Sequence, residues 1–65
     1  MKDGRKKVNV EVGSEVEVVK KEDQATGNLT LGVVKKILTK ASTHPHGIKV
    51  LLESGEVGRV KDVLD

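Results

Sequence analysis

The sequence predicts a small all-β protein, an SH3-like β-barrel of four to five strands with a basic N-terminal arm. Composition favours strands, because twelve of the 65 residues are valine and the chain has no Phe, Tyr, Trp or Cys. β-Branched side chains suit the pleated, half-buried face of a sheet. In addition, two short apolar runs within residues 48–60 flank a Ser-Gly turn, which is the pattern of a tight hairpin. Closing such a sheet into a barrel removes its edges and allows a small aliphatic core to suffice.

Length and charge set the scale of the protein. Sixty-five residues make one domain, which we divide into an arm, residues 1–12, and a barrel, residues 13–65. The arm is rich in Lys and Arg, and the alternating valines at 8–12 would suit a strand that either pairs on the barrel edge or stays loose. A net charge of +2 permits a polyanionic partner without proving one. No apolar run approaches the roughly 18–20 residues that span a bilayer, so we expect a soluble, cytoplasmic protein.

Alternation of apolar and polar residues predicts three of the strands. Residues 15–20 place Val16 and Val18 on one face. Residues 48–52 place three aliphatic side chains on one face, and residues 57–60 complete the hairpin. The residues after this hairpin offer one more turn or short strand to cap the barrel.

The segment 29–38 fits two structures. Its first half alternates like a strand, whereas four aliphatic residues in its second half would also fit one face of a helix. We predict a strand, because Gly32 would lie at the centre of the helix and the flanking residues favour strands. A change of phase near Gly32 or Lys35 indicates a bulge or a bend, which small barrels need in order to close.

Five short segments carry a resemblance to a known family. They are DQATG at 23–27, LTLG at 29–32, ILT at 37–39, HPHGIKV at 44–50 and GEVGRV at 55–60. With this spacing, the block from residue 13 to residue 60 resembles the YwbE-like family of small uncharacterised bacterial and archaeal proteins. The resemblance implies a small barrel but no particular activity, and residues 1–12 match no pattern of the family.

A looser similarity links two segments to KOW-type modules of ribosomal and transcription proteins. GSEVEVV at 13–19 and TLGVVKKI at 30–37 resemble such modules in their order of glycine, apolar and charged residues. They are SH3-like and often bind RNA, which makes RNA binding an expectation by analogy of fold.

The two histidines, His44 and His46, flank Pro45, and their role has three interpretations. A metal ion needs three or four ligands, whereas the chain offers two histidines and no cysteine, and alternate residues of an extended segment point to opposite sides. The second interpretation is that the histidines cap their loop by hydrogen bonds to the backbone. The third is that they contact a phosphate or a base. We therefore predict no metal site and leave the other two open.

No catalytic site or cofactor is predicted. The acidic residues and serines lie in turn-like, solvated contexts, and a barrel of this size has no room for an internal pocket. The loop 23–27 is read as a turn that Asp or Thr stabilises and that ends in a glycine of positive φ. A ligand-binding role for its polar side chains is the alternative.

The cations are the strongest functional signal. We predict nucleic-acid contacts at eight residues, which are Lys20, Lys21, Lys35, Lys36, His44, His46, Lys49 and Arg59. Lys49 and Arg59 should be neighbours across the hairpin, where like charges cost stability and a polyanionic partner would explain why they are tolerated. The alternative is that lysines on exposed strands keep a small β protein soluble and block edge pairing.

The expected function is a small accessory module that binds nucleic acid, with structured RNA favoured. Without Phe, Tyr or Trp on which bases stack, binding should be led by phosphate contacts, sensitive to salt and weakly sequence-specific. The alternative is a protein–protein interaction module that uses an exposed aliphatic patch near Leu51. We expect no membrane partner, no small-molecule substrate and no enzymatic activity.

Overall fold

The computed structural model describes residues 2–64 and confirms the predicted all-β, small SH3-like barrel. Its strands are β1 Lys2–Asp3, β2 Glu15–Lys20, β3 Thr30–Ile37, β4 Lys49–Leu52 and β5 Val57–Val63. All pairings are antiparallel and follow the order β1-β5-β2-β3-β4, and β4 also pairs with β5. This last pairing closes β2 to β5 into a four-stranded barrel and leaves β1 as an additional short strand. The only helical segments within residues 2–64 are two single 3-10 turns, Lys7–Asn9 and Lys21–Asp23.

The core consists of aliphatic side chains from all four barrel strands and the loops beside them. Its fully buried members are Val16, Val18, Val34, Ile48, Val50, Leu52, Val60 and Val63. The predicted inward faces of residues 15–20 and 48–52 are therefore confirmed. Each such side chain contributes about 1.5–3 kcal/mol relative to an exposed position, so a core without aromatics or disulfides can still hold the barrel together.

Two β-bulges bend the strands around this core. The β3–β4 register skips one residue between Val34 and Lys36, so Lys35 is the additional residue of β3. Val34 is buried and Ile37 packs against the core on either side of this bulge, which explains the helix-like spacing of the segment. The predicted strand and its change of phase at Lys35 are confirmed. A second skip in the β2–β5 register makes Lys61 the additional residue of β5.

The tight hairpin predicted at Ser54-Gly55 is confirmed. Leu52 N donates to Glu56 O at 2.8 Å, and Gly55 N donates to Leu52 O at 2.9 Å. Gly55 has φ +92°, the conformation that a three-residue loop of this kind requires at its last position. The turn sets the β4–β5 register, in which Lys49 lies opposite Arg59, as predicted.

The N-terminal segment differs from the prediction in one respect. The strand predicted from the alternation at 8–12 is wrong, because Lys7–Asn9 forms a 3-10 turn that buries Val10 and leaves Val8 and Val12 exposed. The part of the N-terminal segment that precedes Val8 is not loose. β1 pairs with the end of β5, Lys7 N donates to Ser42 O at 2.8 Å, and Arg5 O accepts from His44 N at 2.9 Å. The segment thereby supports the loop that carries the histidines.

The barrel closes around the backbone of Val60. Val60 N donates to Ile48 O and Ile48 N donates to Gly4 O, both at 2.9 Å, so one ladder links β5, the start of β4 and the N-terminal segment. Gly4 and Gly47 both lie against Val60, and a Cβ atom on either glycine would overlap the Val60 carbonyl oxygen. Gly47 also has φ +104°, a conformation that favours glycine. The close approach of these three segments therefore depends on glycine at both positions.

Asp3 and Arg5 form an ion pair beside this closure. The Arg5 guanidinium donates from Nη2 to Asp3 Oδ2 at 2.9 Å and from Nε to Oδ1 at 3.1 Å, and the Arg5 backbone N also donates to Oδ1. These hydrogen bonds lower the pKa of Asp3 to about 2. One of the cations of the N-terminal segment is therefore compensated within the fold.

Replacement of Gly47 by alanine should destabilise the barrel more than replacement of Gly27. Both glycines have positive φ, which costs an L-residue about 1–2 kcal/mol. A Cβ at Gly27 meets nothing within 4 Å, whereas one at Gly47 overlaps Val60. Chemical denaturation followed by circular dichroism should therefore show a clearly larger loss of unfolding free energy for Gly47→Ala. Equal losses would contradict a steric requirement at the closure.

Replacement of Asp3 by asparagine should flatten the pH dependence of stability in acid. Because folding lowers the pKa of Asp3, the unfolded chain binds more protons between the two pKa values, and the ionised group stabilises the fold above about pH 4. This contribution is lost as the pH falls towards about 2. We expect the unfolding free energy of the native protein to fall more steeply over this window than that of Asp3→Asn or Arg5→Gln. Parallel curves would show that the ion pair adds no stability.

Candidate nucleic-acid interface

A cationic groove runs along the outer side of the barrel, over β2 and β5. It consists of two adjoining concavities of about 410 Å³ and 270 Å³, which share Val19, Gln24 and Arg59. The histidine end of the groove adds Gly27, His44, His46 and Lys61. The lysine end adds Lys21, Lys49, Val57 and Gly58. No aspartate or glutamate lines either end, within the part of the chain that the structure describes.

The floor of the groove is the side chain of Val19. Val16 and Val18 point into the core, so alternation places Val19 on the outer side of β2, opposite Arg59 of β5. It is nevertheless only 6% exposed, because the walls of the groove enclose it. The groove therefore combines an apolar floor with a cationic wall. The low exposure of an outward-facing valine indicates that this surface is concave.

Arg59 stands at the junction of the two ends. Its Nη1 donates to Gly47 O at 3.4 Å, which ties the guanidinium to the histidine loop. Lys49 is its cross-strand partner and lines the lysine end. Like charges at opposed positions repel, so this pair costs stability in the free protein. An anion bound between them would relieve that cost.

The turn at residues 45–46 places both imidazoles on one side of the loop. Their ring centroids lie 5.8 Å apart with an interplanar angle of 49°, although alternate residues of an extended segment would point apart. His44 Nδ1 accepts the backbone N–H of His46 at 3.1 Å, which is the capping role expected for a loop histidine. The same turn brings both rings to the wall of the groove.

His44 is held in its neutral form at neutral pH. Partial burial lowers its pKa, and the positive charge of Arg59 and the neighbouring His46 lower it further. Because Nδ1 already accepts a hydrogen bond, Nε2 carries the proton and is the donor of the neutral ring. A neutral imidazole of this kind donates one hydrogen bond to a phosphate oxygen without adding a charge to the groove.

The loop 23–27 has the turn structure that the sequence predicts. The Thr26 hydroxyl donates to Asp23 O at 3.3 Å, Gly27 N donates to the same oxygen at 2.7 Å, and Gly27 has φ +75°. The turn also presents Gln24 to both ends of the groove. The structural interpretation is thus confirmed, and the loop additionally forms a wall of the candidate site.

Of the eight residues predicted to contact nucleic acid, five line the groove and three do not. Lys21, His44, His46, Lys49 and Arg59 come together there. Lys20 instead donates to Glu56 Oε2 at 2.7 Å and lies 3.8 Å from Glu22. The hydrogen bond to Glu56 raises the pKa of Lys20, so this charge is compensated within the fold. Lys35 and Lys36 are exposed on β3, and Lys36 lies opposite Leu51 of β4.

Sequence reasoning missed Lys61 of the groove and included Gln24 only through the ligand-binding alternative for the loop 23–27. Lys61 was overlooked because the last strand was predicted to end at Val60, whereas β5 continues to Val63. The bulge at Lys61 lets Val60 and Val63 both face the core and places the lysine outside with Arg59. The apolar spacing of Val60 and Val63 is the signal that could have revealed the longer strand. No pattern in the sequence distinguishes Gln24 from the other polar side chains of its loop, since its position depends on how the loop folds.

The aliphatic patch predicted near Leu51 is small. Leu51 lies opposite Val57 on the outer face, and it is half-buried while Val57 is 39% exposed. Among the described residues, the aliphatic side chains with larger exposure are Val8, Val12, Leu29 and Leu31. The exposed aliphatic surface is therefore not centred on Leu51.

Residues 2–64 contain no group of three or more His, Asp or Glu side chains arranged to hold a metal ion. No helix in this part of the chain has both the length and the apolar character required to cross a lipid bilayer.

Comparisons with known proteins give one family and one curated relative. Residues 3–63 match the family model described as uncharacterized conserved protein, DUF2196. The expectation that the N-terminal residues match no pattern of the family is therefore wrong, because the match begins at residue 3. The chain is 49% identical over 61 residues to a Bacillus subtilis (strain 168) protein described as uncharacterized protein YwbE, and the match covers 94% of each chain. No solved structure gives a significant match.

Replacement of Arg59 by glutamine should raise the pKa of His44. Arg59 contributes one of the positive charges that lower this pKa, whereas partial burial, the largest cause, remains in the variant. In an NMR titration, we expect His44 of the native protein to titrate below the ordinary value of about 6.5, and Arg59→Gln to move it only part of the way back. Lys35→Gln, which removes a cation outside the groove, is the matched control and should leave His44 unchanged. Titration of native His44 at or above the ordinary value would contradict the geometry of the loop.

Proposed function

The chain belongs to the DUF2196 family of uncharacterised conserved proteins, and we propose that it binds nucleic acid, with structured RNA favoured, through phosphate contacts in the cationic groove. The resemblance to YwbE-like proteins that the sequence indicated is confirmed by the family match. The name of the relative states no activity. The proposal therefore rests on the chemistry of the groove.

The observation that carries the proposal is the concentration of cations in a concave surface that no carboxylate of residues 2–64 lines. Lys21, Lys49, Arg59 and Lys61 line the groove, whereas the overall net charge is only +2. A surface of one sign with low-dielectric walls concentrates the electrostatic potential and attracts ligands of the opposite sign. A row of phosphates, each neutralised by a nearby cation with release of counterions, is the ligand that such a groove fits.

The donors in the groove suit phosphate oxygens. The guanidinium of Arg59 offers a planar fork of N–H groups, and lysine ammonium groups act as mobile point charges. Neutral His44 adds an Nε2 donor at the histidine end. Contacts of this kind position a nucleic acid without reading its sequence, so we expect weak sequence specificity.

Three finer expectations from the sequence belong to the same proposal. A KOW-like mode of RNA binding is proposed by analogy, because the residue pattern of 13–19 and 30–37 resembles that of KOW-type modules. A cytoplasmic location is included because folded RNA is abundant there. The module is proposed to act by binding, without an enzymatic reaction of its own.

The test is binding of a fluorescent RNA hairpin at about 50 mM and about 200 mM salt. We expect affinity to fall steeply with salt, and the double variant Lys49→Ala/Arg59→Ala to bind weakly with a slope reduced by about one unit per lost phosphate contact. Lys35→Ala/Lys36→Ala is the matched control, since it removes the same charge from β3, outside the groove. It should retain most of the affinity and slope, and thermal unfolding should confirm that both variants are folded.

Equal losses in the two double variants would contradict a role for the groove and indicate general surface charge. Absence of binding to RNA or duplex DNA at low salt would overturn the proposal. The alternative, a protein–protein interaction module, rests on the outward cross-strand pair Leu51 and Val57. It requires a protein partner that binds at high salt and is lost with Leu51→Asp.

A further inference from the structure

We propose that the histidine end of the groove receives the base of one unpaired nucleotide, so that the preferred RNA is a duplex interrupted by a bulge or a flipped-out base. This inference rests on the proposed function and deepens it by naming the RNA feature that the groove selects. Chains without Phe, Tyr or Trp lack the usual platforms for stacking bases. The structure supplies a different platform, in line with the base-contact interpretation of the two histidines.

The platform consists of planar side chains above an apolar floor. The imidazoles of His44 and His46 and the guanidinium of Arg59 line the same concavity, and Val19 forms its base. Both imidazole rings and guanidinium planes stack on unpaired bases in RNA complexes. The space of about 410 Å³ lies within the range of small-molecule pockets, and it opens to the surface, so that a base can enter while its backbone stays outside.

The polar groups of this end match the edge of a base. Gln24 stands in the wall and offers both an amide donor and a carbonyl acceptor. Val19 is only 6% exposed and offers a base little apolar area, so the stacking surfaces are the imidazoles and the guanidinium. A phosphate alone would use the cations of this end but neither the planar faces of these side chains nor the amide. A nucleobase uses both.

The continuation of the groove favours a nucleotide within a chain over a free nucleotide. Val19, Gln24 and Arg59 belong to both ends, so the lysine end begins where the base would sit. Lys21 and Lys49 are then placed to neutralise the phosphates that flank the unpaired nucleotide. A free nucleotide would leave these lysines without a ligand.

The experiment compares a fully paired RNA hairpin with the same hairpin carrying one bulged 2-aminopurine, both at low salt. Stacking of one base strengthens binding, so we expect the bulged RNA to bind about tenfold tighter, which corresponds to about 1.4 kcal/mol, with a change in 2-aminopurine fluorescence. His46→Ala and Gln24→Ala, which alter exposed side chains of the histidine end, should each reduce this preference, measured as the ratio of the two affinities within one variant. Lys36→Ala, which alters an exposed side chain outside the groove, is the control and should leave the ratio unchanged.

The outcomes distinguish failure of this inference from failure of the proposed function. Equal affinity of the native protein for the two RNAs would overturn the inference and leave the phosphate-led function intact. A preference that survives both variants would overturn the placement of the base. Displacement of bulged RNA by adenosine monophosphate at concentrations comparable to those of unlabelled bulged RNA would overturn the choice of a chain over a free nucleotide. Failure of either RNA to bind would overturn both the inference and the proposed function.

Discussion

The backbone of Val60 is where this barrel closes, and the position of the groove depends on that closure. β4 and β1 share one edge of β5, the first along its N-terminal half and the second along its C-terminal end. Gly4 and Gly47 fill the junction between them, because only a residue without a Cβ fits against the Val60 carbonyl. Three segments that are distant in sequence thereby meet at one residue. A side chain at this junction would separate the edge and open the barrel.

The same closure positions the functional surface. Gly47 ends the loop that carries His44 and His46, and its carbonyl accepts from Arg59. The N-terminal segment supports the loop from the other side through Arg5 and Lys7. The histidines therefore face the groove because the barrel is closed beneath them. The site in this chain therefore depends on the closure of the barrel as well as on the conformation of the loop.

Charges are distributed unevenly around the barrel. Glu15 and Glu17 precede Val19 on the same outer side of β2 but do not line the groove, and Glu17 is paired with Asp62 of β5. Glu56, which follows the hairpin turn, accepts from Lys20 and from Ser54. These hydrogen bonds lower the pKa of Glu56 and keep it ionised beside its partners. None of these three carboxylates lines the groove, and the charged side chains that line it among residues 2–64 are cations.

The sequence by itself determined the fold class, the main strands, the late hairpin and the opposition of Lys49 and Arg59. These features follow from period-two alternation and turn chemistry, which act between near neighbours in the chain. It also indicated the bulge at Lys35, since a break in alternation is itself a local signal. The 3-10 turn at Lys7–Asn9 was beyond such reasoning, because the burial of Val10 overrides the strand-like pattern around it.

Only the tertiary structure decided which cations form a site. Lys20 and Lys21 are adjacent in sequence, yet one is bound to Glu56 and the other lines the groove. Lys61 and Gln24 join the groove through a bulge and a folded loop, and the two imidazoles share a side through the turn at residue 45. The alternation of residues along a strand determines which face of the sheet a side chain occupies. Which side chains come together depends on contacts between segments distant in sequence, and in this protein those contacts close the barrel at Val60.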